Sequence, residues 1–223
     1  MKTWILALDR LFLWVRSVPL FYRFTLLTRI LMAAAFVPTG WVKLMGRRFT
    51  SLPTETPIGA FFEAMFQTGE YWQFIGGCQV AAGLLLLLPA TAHLGALLFL
   101  PIITNIFVIT VALGFKGTPV ITGPMLLAVI YLCAWDYDRL RGILTPEPAA
   151  PPLRPAVHRL DRVECAGFTV FAVALVSCFL ATRGGVPISW TPYLATTGLL
   201  AGLTALGRFL VAGRRRTASA EPA

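Results

Sequence analysis

FIGGCQVAAGLLLLLPATAHLGALLFLPIITNIFVITVAL, residues 74–113, runs for 40 positions without one Asp, Glu, Lys or Arg. Its only break is the short Pro89–His93 turn, which separates two apolar runs at about 71–88 and 94–113. A bilayer core of about 30 Å is crossed by about 20 helical residues, so each run is long enough to span it. Backbone amides facing lipid must be paired within their own segment, and a helix does this. The turn is too short to do anything but place the two helices side by side and antiparallel.

Outward from this hairpin the same pattern returns at about 24–42, 119–135, 164–182 and 190–211. The reading is an all-α polytopic membrane bundle of six spans. Composition agrees: 57% of the chain is hydrophobic and 13% charged, about half the charged share of a soluble domain. Mean hydropathy is +0.74. The formal charge of +9 would point to nucleic acid on a soluble fold. Here topology accounts for it, and no nucleic-acid partner is expected. With the N-terminus placed in the cytoplasm, thirteen Lys and Arg fall on the inner side and five on the outer, with Arg29 inside the first span. The positive-inside rule then favours a multi-pass protein of a bacterial inner membrane with both termini cytoplasmic.

Residues 1–22 read as an interfacial helix. Asp9 and Arg10 interrupt Met1–Leu20 too early for a cleaved signal. At helical spacing Trp4, Ile5, Leu8, Leu11, Phe12 and Val15 share one face, and Lys2, Asp9 and Arg16 the other. A four-helix core follows over 23–142. TPEPAAPPLRPAV, residues 145–157, carries five prolines and sets a semi-rigid cytoplasmic linker over 143–159. An appended helical pair occupies 160–212, and 213–223 is expected to be a basic disordered tail. Between the first two spans about 28 residues intervene, long for a bundle connection. Within them Ile58–Phe66 has helical periodicity and carries Glu63.

Polar residues within spans are costly and are functional candidates. Gln79 and Asn105 lie at matched depths on the hairpin, 12 and 14 residues from Thr91. They are expected to meet near the midplane, either lining a ligand cavity or bonding each other as packing glue. Arg29 lies within the first span, where snorkelling and a buried functional charge are both open. Lys43 closes that span after Pro38 and Gly40, where a proline kink beside a cation would suit an anionic or carbonyl-bearing ligand. With Glu63, these are the ligand-binding candidates. Asp136 and Asp138, beside Arg139 and Arg141, form a charge cluster at the inner interface, expected to pair locally. Cys78, Cys133, Cys165 and Cys178 make no C-x-x-C pair and read as small buried apolar side chains. No metal-ligand cluster, Walker loop or dinucleotide fingerprint is present, and His93 and His158 lie too far from the midplane for an intramembrane haem.

RILMAAAFVPTGWVK (29–43), followed by Leu44–Met45–Gly46, resembles the first span of the DoxX family; FIGGCQVAAGLLLLLP (74–89) resembles its second. TAHLGAL (91–97) and YLCAWDYDRL (131–140) resemble its third-span entry and core end. The resemblance covers about residues 24–142 and rests on Arg29, Gly40, Lys43, Gly76, Gln79 and Gly83. It implies a DoxX-like four-helix core with two added spans, of the kind associated with a thiosulfate:quinone oxidoreductase. On that footing the chain is a membrane subunit holding no cofactor of its own, with a quinone bound near Gln79, Asn105 and Lys43 and a redox partner subunit supplying electrons. The alternative is a non-enzymatic accessory or scaffold, or a small-solute carrier.

Overall fold

The structure, a computed structural model, describes residues 2–144, 153–182 and 188–218. Helices form every regular element among the described residues. The chain divides into two compact units, residues 1–157 and 158–223.

The first unit holds α1 (Lys2–Ser17), α2 (Pro19–Leu44), α3 (Pro57–Gln67), α4 (Glu70–Leu87), α5 (Ala92–Ala112), α6 (Thr118–Trp135) and α7 (Tyr137–Leu144). Four of these form a ring: α2 packs on α4, α4 on α5, α5 on α6, and α6 returns to α2. Their shared core is Met32, Phe36, Ala82, Leu86, Ala96, Phe99, Ile103, Val129 and Leu132. Phe36 meets Phe99 edge to face, with centroids 4.4 Å apart. The outward surface is as apolar as the core: Val120, Ile121 and Leu127 are 77%, 63% and 67% exposed. That distribution suits lipid as the surrounding solvent.

Among the described residues, five helices are long and apolar enough to cross a membrane: Pro19–Leu44, Ala92–Ala112, Thr118–Trp135, Arg162–Ala181 and Thr191–Val211. The expected span at 71–88 does form a helix, α4, but falls short of the same hydropathy. Its first turn, Glu70–Gln73, is polar, and Gln79 interrupts its centre. The chain is thus an all-helical, multi-pass membrane protein in which α4 carries more polar weight than its neighbours. The Ile58–Phe66 helix is found as α3. Thr56 caps it, its hydroxyl accepting from the Gly59 amide at 3.2 Å, and Pro57 follows at the first turn.

The structure adds a docking contact for α1 and changes the expectation for the cysteines. Helix α1 forms as read, but the face it packs inward carries Asp9 and Phe12, both 7% exposed, while Leu6, Leu11 and Trp14 are left outside at 55–60%. The reason lies far along the chain: α7 supplies Arg141 and Tyr137 as partners for Asp9. None of the four cysteines is fully buried, and Cys165 is exposed. In a lipid-surrounded bundle an apolar thiol needs no interior position.

Helices α2 and α4 approach closely. A Cβ at Gly40 would stand 2.8 Å from Gln79 Cβ and from the Gly76 carbonyl oxygen; one at Gly76 would stand 2.5 Å from the Leu44 amide nitrogen. Only glycine permits that separation, the small-residue packing expected of helices in lipid.

The second unit is the hairpin of α8 (Arg162–Thr182) and α9 (Thr191–Ala218), with a 3₁₀ turn at Ile188–Trp190. Asp161 and Glu164 cap α8 reciprocally. The Glu164 amide donates to Asp161 Oδ1 at 2.7 Å, and the Asp161 amide to Glu164 Oε2 at 2.9 Å. Small residues again set the spacing, with Gly167 against Ala201 and Ala205. The expected linker falls partly outside the described residues, at 145–152, and residues 153–161 are without regular structure. Helix α9 continues to Ala218, past the expected end at 212.

The glycine packing sets a graded test. At Gly76 a methyl group meets backbone on α2, which cannot move alone. At Gly83 it meets the Val37 Cγ2 methyl, 2.5 Å away, which can rotate. Gly76→Ala should lower stability by about 1–3 kcal/mol, and Gly83→Ala by clearly less, as read from thermal unfolding in detergent. Equal losses would contradict the backbone contact.

Candidate functional site

The Gly40–Gly76 crossing brings the last turn of α2 against the first half of α4. One turn beyond Gly40, Lys43 points across the contact, and its ammonium donates to Gln79 Oε1 at 2.9 Å. Both residues are buried, Gln79 at 1% and Lys43 at 7% exposure. The Lys43 Nζ also lies 4.7 Å from the Phe49 ring centroid and 5.2 Å from that of Trp72, close enough for cation–π attraction to both. Trp72 is fixed in turn by its indole N–H, which donates to the Arg47 carbonyl at 3.0 Å.

The α2–α3 connection and α3, with Trp72 of α4, enclose a cleft of about 400 Å³ lined by Phe49, Phe62, Phe66 and Trp72 among others; Lys43 touches two of these rings and is not itself part of the lining. Arg48 and Glu63 close one side as a bidentate pair, at 2.8 Å (Nε–Oε2) and 2.6 Å (Nη2–Oε1). Gln67 donates to the same carboxylate at 2.7 Å. Hydrogen bonding from Arg48 holds the Glu63 carboxyl below its usual range and raises the Arg48 guanidinium. Glu63 gains its partner only when folded, so the tie is present above the ordinary glutamate range and is lost as pH falls through the lowered value.

A second constellation occupies the opposite end of the same helices. Arg29 Nη2 meets Asp136 Oδ2 at 2.9 Å, with the two side chains 11% and 9% exposed. Asp136 is the C-cap of α6. Nearby, Thr25 and Tyr131 hydroxyls bond at 2.7 Å, and Arg16 donates to the Trp135 carbonyl at 3.2 Å. Arg141 reaches Asp9 at 2.7 Å, and the Tyr137 hydroxyl donates to the same carboxylate at 3.2 Å. The expected local pairing of Asp136 and Asp138 with Arg139 and Arg141 is therefore replaced by pairs between distant elements. Arg139 donates to the Ala90 carbonyl and contacts His93 Nδ1 at 2.9 and 2.6 Å. Asp138 is partly buried, and its Oδ1 has no hydrogen-bond partner. Arg29 does not snorkel free; its charge is met inside the protein.

The sequence candidates thus separate into two groups and one outlier. Lys43, Gln79 and Glu63 belong to one end; Arg29, Asp136, Asp138 and Arg139 belong to the other. Asn105 joins neither, and the expected Gln79–Asn105 contact does not form. Asn105 is exposed. It lies nine residues past buried Ala96, which turns it about 180° away from the core face of α5. Depth along the hairpin matched; direction around the helix did not. Phe49, Trp72 and Arg48 carry the first site yet were not singled out in the sequence, although an arginine, three glutamates and six aromatics within residues 48–72 were the available signal.

Over 79 residues the chain is 39% identical to the uncharacterized protein YwoB of Bacillus subtilis (strain 168), taking in 35% of this chain and 50% of that protein. The chain spans about half the length of the curated relative it matches. No family model and no solved structure matches the chain.

The buried Arg29–Asp136 pair gives a direct test. Removing either partner leaves an uncompensated charge among apolar helices, at a cost of about 3–5 kcal/mol. Arg29→Leu and Asp136→Leu should each destabilise strongly in denaturant titrations, while the double change costs less than the sum of the two. Additive losses would show that the two charges do not act as a pair.

Proposed function

We propose that the first unit is a DoxX-like membrane subunit that holds a quinone head group in the cleft beside Lys43. A quinone is a planar ring with two carbonyl oxygens and, when bound, supplies a two-electron, two-proton carrier. The residues present fit it. The cleft lies within the range of about 300–1,000 Å³ typical of ligand pockets. Phe49, Phe62, Phe66 and Trp72 offer flat apolar faces to a ring. Lys43 is a buried donor of up to three hydrogen bonds, suited to a carbonyl oxygen and better suited as negative charge grows on it. Gln79 holds that ammonium in register, and the Arg48–Glu63 tie shapes the cleft's outer wall. The observation carrying this reading is a buried lysine held against Phe49 and Trp72, two of the rings that line the cleft.

The basic-residue balance supports a bacterial inner-membrane placement with the Lys43 end outward and both termini cytoplasmic. An electron-donating partner subunit would then engage from outside, against the α2–α3 connection. The accessory, scaffold or carrier reading is favoured by one observation, that Lys43 and Gln79 already bond each other across a glycine crossing, as packing glue would.

Extraction of the purified protein followed by chromatography for quinones separates the two readings. Quinone should co-purify, and Lys43→Met should lower its occupancy about tenfold, the worth of one hydrogen bond to a charged group, while the protein stays folded. Under the accessory reading no quinone is retained, added quinone leaves tryptophan fluorescence unchanged, and Lys43→Met with Gln79→Leu is nearly neutral in function.

A further inference from the structure

A separate cavity, of about 250 Å³, lies at the other end of the first unit, between α1 and the α6–α7 corner. Leu8, Leu11 and Val15 of α1 form one wall and Tyr131 and Ala134 of α6 the other, and Arg16 also lines it. The α6 side is the last turn of a helix long and apolar enough to span, so the cavity lies at the depth where acyl chains meet headgroups. Its surroundings need an apolar occupant. Leu11 and Trp14 are 56% and 60% exposed, and Leu6 and Leu8 55% and 41%, on a helix that docks through Asp9 and Phe12. The guanidinium of Arg16 is stationed there, donating to the Trp135 carbonyl and lying 4.6 Å from the Trp135 ring centroid. The Asp9–Arg141 pair fixes α1 against α7 and thereby holds the cavity's wall in place.

We propose that this cavity is a binding site for one anionic phospholipid, an acyl chain lying between α1 and α6 and the phosphate beside Arg16. An arginine is always charged and its donors match phosphate oxygens. An apolar trough lined in part by such a group is built for a chain carrying an anionic head, and anionic lipids attract basic interfacial helices in general. The occupant is distinct from the quinone proposed at the Lys43 end.

Native mass spectrometry of the full chain, with phosphatidylglycerol, phosphatidylethanolamine, a free fatty acid and a quinone offered separately, tests this. One phosphatidylglycerol should be retained, about tenfold more strongly than phosphatidylethanolamine, as expected of a charge-assisted contact. Ala134 is exposed, so Ala134→Trp fills the cavity without meeting packed neighbours; it should abolish retention while helical content by circular dichroism is unchanged. Arg16→Gln should reduce phosphatidylglycerol to the phosphatidylethanolamine level. Retention undiminished by Ala134→Trp would overturn the site. Equal retention of fatty acid would overturn the phospholipid assignment, and preferential retention of quinone would assign the cavity to a different ligand. If Arg16→Gln alters helical content, the Ala134→Trp result alone decides.

Discussion

The contact between two backbones at Gly40 and Gly76 governs the first unit. Helices in lipid gain little from burying apolar surface against each other, so close packing must supply the attraction. Where α2 and α4 cross, no side chain intervenes, and the backbones stand nearer than any Cβ would allow. That proximity lets the Lys43 ammonium reach Gln79 within 2.9 Å. It also explains how α4 can carry Glu70, Gln73 and Gln79 and still belong to a membrane bundle: its buried polar group is satisfied by its neighbour. The ring of four helices, the aromatic rings and the cleft they line are all registered from this crossing.

A cation is met within the protein at both ends. Lys43 is set among Gln79, Phe49 and Trp72; Arg29 is set against Asp136. In each case the cation lies on α2 and a hydrogen-bond partner on another helix; Asp136 neutralises Arg29, whereas Lys43 keeps its charge and is met by a neutral amide and two ring faces. Beyond the Asp136 end, α1 is fastened by Asp9 to α7 rather than by its leucines to the core. Its apolar side is thereby left for lipid, the arrangement an interfacial helix requires. The two ends differ in character: one is an aromatic cleft beside a lysine, the other an apolar trough beside an arginine.

Element positions were legible because each depends on local pattern. Apolar runs of spanning length placed α2, α5, α6, α8 and α9, and periodicity placed α1 and α3. Residues Lys43 and Gln79 were singled out individually, as polar groups near or within spans. What pattern could not supply was azimuth and partnership. Asn105 shared Gln79's depth but faced the other way. Arg29 and Asp136 are more than a hundred residues apart, as are Asp9 and Arg141, and adjacency in sequence wrongly favoured Arg139 and Arg141 for the aspartates. The helical wheel of α1 gave its apolar and charged faces, but not that Asp9 would dock the helix, because the deciding partners lie on α7.

The central claim is the close α2–α4 approach, and disulfide trapping measures it most directly. A Cβ at position 83 stands 2.5 Å from Val37 Cγ2, close to where a cysteine sulfur would lie for a bridge. With the four native cysteines replaced, Val37→Cys with Gly83→Cys should oxidise readily in membranes and give a compact species on denaturing gels. Val37→Cys with Asn105→Cys should not. Trapping of 37 with 105, or failure of 37 with 83 under strong oxidant, would contradict the crossing and the Lys43–Gln79 site built upon it.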